Sequence, residues 1–99
     1  MKTTLLSKLR NAFKQIGLKV QLGTASLGLD QKFYYKNIII VNPDELSVLE
    51  TNPIANPVYE YEIYEPDGDE LGSYENFDQM FDALVYFIIN HRIATRDKD

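Results

Sequence analysis

Residues 58–74, VYEYEIYEPDGDELGSY, constrain the fold more than any other stretch of the chain. Tyr59, Tyr61 and Ile63 recur at every second position, and Glu60 and Glu62, with Val58 and Tyr64, fill the positions between. A period of two places the two sets on opposite faces of a half-buried strand. Pro66-Asp67-Gly68-Asp69-Glu70 interrupts it with a turn centred on Asp67-Gly68, where Asp bonds to its own backbone and Gly accepts positive φ. Residues 71–74 make the return strand. This β-hairpin requires further elements to cover its apolar face.

Those elements are legible on both sides. Leu5, Leu9, Ala12, Phe13 and Ile16 recur at helical spacing and predict a helix over about residues 4–16, capped by Thr3 or Thr4 and stopped by Gly17. Leu18, Val20 and Leu22 alternate with Lys19 and Gln21, a strand. Residues 23–30 read as a loop punctuated by Gly23 and Gly28. KFYYKNIIIV, residues 32–41, is β-branched and aromatic and therefore extended. It reads as one strand with room for a bulge, or as two short strands turning at Lys36-Asn37. Its run from 38 to 41 suggests cover on both faces. NPDELSVLE has the features of a helix start, with Asn42 as cap, Pro43 at the first helical position and Glu45 as capping-box partner. A short helix over about 43–50 is expected, ended by the two Asn-Pro pairs of TNPIANP. A last helix begins at Asn76, with Gln79 three residues on. Phe77, Met80, Phe81, Leu84 and Ile88 share one narrow face, while Val85, Phe87 and Ile89 widen the apolar arc to about half the circumference. The surplus fits a deeply buried helix or a homodimer seam through Val85 and Ile89. Residues 93–99 read as a frayed tail.

The expected architecture is a single α+β domain of 99 residues. It has two layers, an antiparallel sheet of three to five strands with the N- and C-terminal helices packed on one face.

Charge is distributed unevenly along the chain. Residues 1–42 carry seven basic residues and one acidic; residues 43–89 carry twelve acidic and no basic. The total is −5. There is no cysteine, which excludes disulfides and thiolate metal sites and agrees with a reducing compartment. The amino-terminal segment is broken by Lys8, Arg10 and Lys14 and does not read as a secretion signal. No apolar run approaches the length of a membrane span, about 20 residues. A soluble cytoplasmic protein without membrane contact is expected.

No catalytic, nucleotide or metal motif is complete. Gly23 to Gly28 has phosphate-loop spacing, but Leu29 and Asp30 stand where a Lys and a hydroxyl residue belong. Residues 67–78 place Asp67, Asp69, Gly72 and Asp78 at calcium-loop positions, yet Leu71 occupies a ligand position and a strand precedes. His91, the lone histidine, suits a helix C-terminus better than a metal site. Ser7, Ser26, Ser47 and Ser73 lack a credible base. No enzyme activity and no cofactor is expected. Of the seven tyrosines, Tyr34, Tyr35, Tyr59, Tyr61, Tyr64, Tyr74 and Tyr86, those of the hairpin interleave with Glu60, Glu62 and Glu65 rather than with cations. That pattern repels phosphate and argues against direct nucleic-acid binding.

In size, acidity, lack of cysteine and α+β order the chain is similar to small inhibitors encoded by phages or mobile elements, including anti-CRISPR proteins and DNA mimics. The likeness is one of composition and assigns no residue. It implies a non-catalytic inhibitor or adaptor whose acidic surface engages a basic protein partner, such as a nucleic-acid-binding groove. The expected contact residues are Glu60, Glu62, Glu65, Asp67, Asp69 and Glu70, with Tyr64 as aromatic anchor. The alternative is an assembly protein that dimerises through the last helix.

Overall fold

The structure, a computed structural model, describes residues 4–23, 33–42 and 45–97, with side chains described through residue 90. The elements run α1 (Leu5–Phe13), β1 (Lys19–Leu22), β2 (Tyr35–Asn42), β3 (Leu46–Thr51), β4 (Tyr61–Tyr64), β5 (Glu70–Tyr74) and α2 (Phe77–Asp97). The five strands form one antiparallel sheet in the order β1-β2-β3-β4-β5. Each strand pairs with its sequence neighbour, as short connections favour.

Local signals set the ends of α1. The Thr4 hydroxyl accepts the Ser7 amide at 3.1 Å, and Gly17 takes φ +76° beyond the last turn. Leu5, Leu9 and Phe13 are buried. The helix closes at Phe13, so Ile16, beyond its end, remains in solvent; Ala12, within the helix, is exposed. At the other end, Asn76 Oδ1 accepts the Gln79 amide at 2.9 Å, and Gln79 Oε1 accepts the Glu75 amide. α2 then runs to Asp97, so the segment expected to fray from residue 93 has helical backbone through residue 97.

The expected short helix over 43–50 is a strand instead. Val41 pairs with Leu46, Ile39 with Val48, and Val48 in turn with Ile63, which makes β3 the central strand of the sheet. Leu46 and Val48 are buried on one face and Leu49 on the other. The capping signature is local, whereas the pairing satisfies the backbone of β3 on both edges and buries three apolar side chains. Tertiary context therefore overrides the helix signal. Glu45, with φ +56°, belongs to the turn that joins β2 to β3.

Residues 32–41 contribute one strand, not two, with an irregularity between Tyr35 and Asn37. Phe33 and Tyr34 precede it in helical backbone. The expected loop 23–30 lies, beyond Gly23, outside the described residues. TNPIANP forms two Asx turns: Asn52 Oδ1 accepts the Ile54 amide, and Asn56 Oδ1 accepts those of Val58 and Tyr59.

One core joins both helices to one face of the sheet. Val20, Ile39, Val41, Leu46, Val48, Tyr61 and Ile63 meet Leu5, Leu9 and Phe13 of α1 and Met80, Leu84 and Ile88 of α2. Fully burying each such side chain contributes about 1.5–3 kcal/mol. No helix among the described residues is long and apolar enough to cross a membrane.

A candidate binding surface on the open face of the sheet

The alternation of β4 sends Tyr61 and Ile63 into the core and Glu62 and Tyr64 to the face that the helices leave open. Glu62 lies opposite Leu49 on β3 and Ser73 on β5. Leu49 is buried but does not belong to the main core. Tyr35 joins this face because of the irregularity in β2. Asn37 pairs with Glu50, but Tyr35 pairs with Thr51, one step further along β3 and on its other face. An extra residue in one strand re-aims the side chain that precedes it.

Three side chains converge as a result. The Tyr35 hydroxyl donates to Glu62 Oε1 at 3.0 Å, and the Tyr64 hydroxyl donates to the same oxygen at 2.8 Å. Glu62 is only 9% exposed. Burial pushes both phenols above their ordinary pKa, and the negative charge of Glu62 adds to the rise. Both hydroxyls therefore remain protonated and able to donate. Beside them the Ser73 hydroxyl donates to Glu70 Oε1 at 2.8 Å. The charge of Glu70 reaches Tyr35 as well.

The seven hairpin residues expected to bind do not share one patch. Glu62, Tyr64 and Glu70 gather on the open face around Tyr35. Glu65, Asp67 and Asp69 cluster at the β4–β5 turn, their carboxylate oxygens within 4.8 Å of one another. Gly68 holds φ +97° there, and Asp67 Oδ1 accepts the Asp69 amide. Glu60 stands at the opposite end of the hairpin. It lines a groove of about 170 Å³ with Glu50, Glu75, Tyr59 and Lys36. Glu62 departs most from expectation, since strand alternation alone put it in water with Glu60.

The turn trio is the one group of carboxylates among the described residues spaced closely enough to hold a cation. It is not the calcium loop suggested by residues 67–78, because 70–74 of that stretch are β5. Asp67 and Asp69 are exposed, as acidic turn residues commonly are without any ion.

Sheet order separates the charges. β1 is one edge strand, and beside it Arg10, Asn11, Lys14 and Lys19 line a groove of about 620 Å³ that has no acidic residue. Arg10 Nε donates to the Val20 carbonyl at 3.1 Å, which fixes that side chain at the α1–β1 junction. The acidic hairpin is the other edge. Lys8 lies outside the β1 groove, its ammonium 5.0 Å from the centre of the Phe77 ring.

Of the two residues expected at a dimer seam, Val85 is half-buried against the core and Ile89 is 53% exposed, beside Tyr86 at 63%. The side chain of His91 lies outside the described residues. Sequence reading missed Tyr35 and Ser73 as members of the hairpin site. The only trace of Tyr35 was the allowance for a bulge in residues 32–41. The chain matches no family model, and no curated protein or solved structure is significantly similar to it.

Proposed function

We propose that the protein is a non-catalytic binding module, an inhibitor or adaptor that engages a basic protein surface through the β4–β5 edge and the adjoining open face of the sheet. The observation that carries this reading is the separation of charge across the sheet. The acids of the hairpin lie on the β4–β5 side of the sheet, on its open face and at the two ends of the hairpin, and the hydrogen-bond partners of Glu62 and Glu70 are hydroxyls, not cations. Of the described cations, Arg10, Lys14 and Lys19 line the groove at the far edge, while Lys8 lies over Phe77 and Lys36 lines the groove with Glu60. A negative surface of this kind speeds encounter with a positive one and rejects phosphate. A groove that normally holds nucleic acid has the matching chemistry, and in that respect the protein would act as a DNA mimic. Affinity capture from the native host at low and at high salt tests the reading. A basic protein retained at low ionic strength and released by salt is expected; capture that is indifferent to salt would count against it.

The exposure of Tyr86 and Ile89 on α2 favours a second reading, self-association through that helix. Light scattering over a range of concentrations tests it. A mass that stays at one chain throughout would remove it, and dissociation of a dimer by Ile89→Asp with the fold retained would support it.

A further inference from the structure

Glu62 is the one carboxylate among the described residues that the fold takes out of water, although no helix covers its face of the sheet. Oε1 accepts two phenol hydroxyls, and Oε2 accepts no side-chain hydrogen bond among the described residues. A buried carboxylate is costly unless a positive charge lies near it, and neutral hydroxyls compensate only in part. None of the cations with described side chains is placed to supply that charge. Lys8 sits over Phe77; Arg10, Lys14 and Lys19 line the groove at the β1 edge; Lys36 lines the groove with Glu50, Glu60 and Glu75. Glu70, held by Ser73 on the neighbouring strand, adds negative charge on the same side.

We infer that Glu62, flanked by Tyr35 and Tyr64, is the seat for a single arginine side chain of the basic partner. This rests on the reading of the hairpin as a surface for such a partner, and it names the group that anchors the contact. A guanidinium fits better than an ammonium for three reasons. It is planar and weakly hydrated, so it tolerates a half-buried position; it lies favourably against phenol rings; and its fork can donate to Oε2 while Oε1 keeps its two hydroxyls. The tyrosine hydroxyls hold the carboxylate in place before binding, so little ordering remains for the encounter.

The test uses the full chain, labelled at its tyrosine, glutamate and aspartate side chains, titrated by NMR with three peptides of equal length. They alternate glycine with arginine, lysine or citrulline. The arginine peptide should shift the Glu62, Tyr35 and Tyr64 signals saturably, the lysine peptide more weakly and the neutral citrulline peptide not at all. Glu62→Gln keeps an oxygen for both hydroxyls and should lower arginine-peptide affinity about tenfold or more. Should that variant fail to fold, Ser73→Arg places a guanidinium opposite Glu62 from within the sheet and should block the peptide. Lys32, outside the described residues, serves as a control: Lys32→Ala should leave affinity unchanged. A gain in affinity would mean that the chain fills its own seat and would overturn the inference. Shifts confined to Glu65, Asp67 and Asp69, with Glu62→Gln indistinguishable from wild type, would overturn the seat while leaving the acidic-surface reading intact. No shift with either cationic peptide would overturn both.

Discussion

The ring of Phe13, in the last turn of α1, stacks on the ring of Phe81 in α2, with centroids 5.4 Å apart and planes inclined by 27°. Phe77 continues the stack at 5.7 Å from Phe81. The two helices are thereby joined directly as well as through the sheet.

Phe13 is 2% exposed, so Phe13→Ala should cost about 3–5 kcal/mol of stability. Phe81→Ala should cost less, since that ring is only half-buried. A double-mutant cycle by urea unfolding should return a coupling of about 0.5–1.5 kcal/mol. Strict additivity would mean that the rings meet without stabilising each other.

Burial raises the phenol pKa of Tyr35, Tyr61, Tyr64 and Tyr74 above the ordinary 10.0. Above that value the unfolded chain loses protons that the folded chain keeps. The stabilisation is complete below about pH 10 and declines as pH rises through and beyond it. Tyr64→Phe should lower stability at pH 8 by about 1–3 kcal/mol, because Glu62 loses a donor. It should also make the decline above pH 10 shallower. Urea midpoints measured between pH 8 and 11.5 check both parts, and an unchanged slope would show that Tyr64 ionises alike in the two states.

Asn76→Ala removes the acceptor for the Gln79 amide and should cost about 1 kcal/mol. Asn76→Asp should restore most of the loss, because a carboxylate accepts the same bond and complements the helix dipole. Thermal melts of the three proteins suffice.

Reversing the charge of exposed turn residues, with Asp67→Lys and Asp69→Lys together, should weaken capture of a basic partner and flatten its salt dependence. Stability should stay within about 0.5 kcal/mol, the usual range for surface substitutions. The pair is chosen over Glu60 and Glu62 because Glu62 is buried, and a lysine there would confuse folding with binding. Undiminished capture by a folded double variant would remove the turn from the contact surface.

Much of this protein was decided within a few residues of each feature. Thr4 and Asn76 cap helices because their side chains reach amides three positions on; Gly17 and Gly68 end a helix and turn a hairpin because positive φ is open to glycine. The period of two in residues 18–22 and 58–64 named two strands, and the helical stripes named the faces that became the core. An α+β sheet with both helices on one face followed from these local rules. Three matters did not. Residues 46–51 became the central strand despite a helix-start signature, because partners on both edges outweigh a local cap. Tyr35 reached the open face only through an irregularity whose register depends on β3. Glu62 alternates with Tyr61 and Ile63 as a solvent-facing residue should, yet it is buried by a tyrosine 27 positions away and another two positions on. Alternation specifies which face a side chain takes; what else lies on that face depends on strands distant in sequence, and only the assembled sheet brings them together.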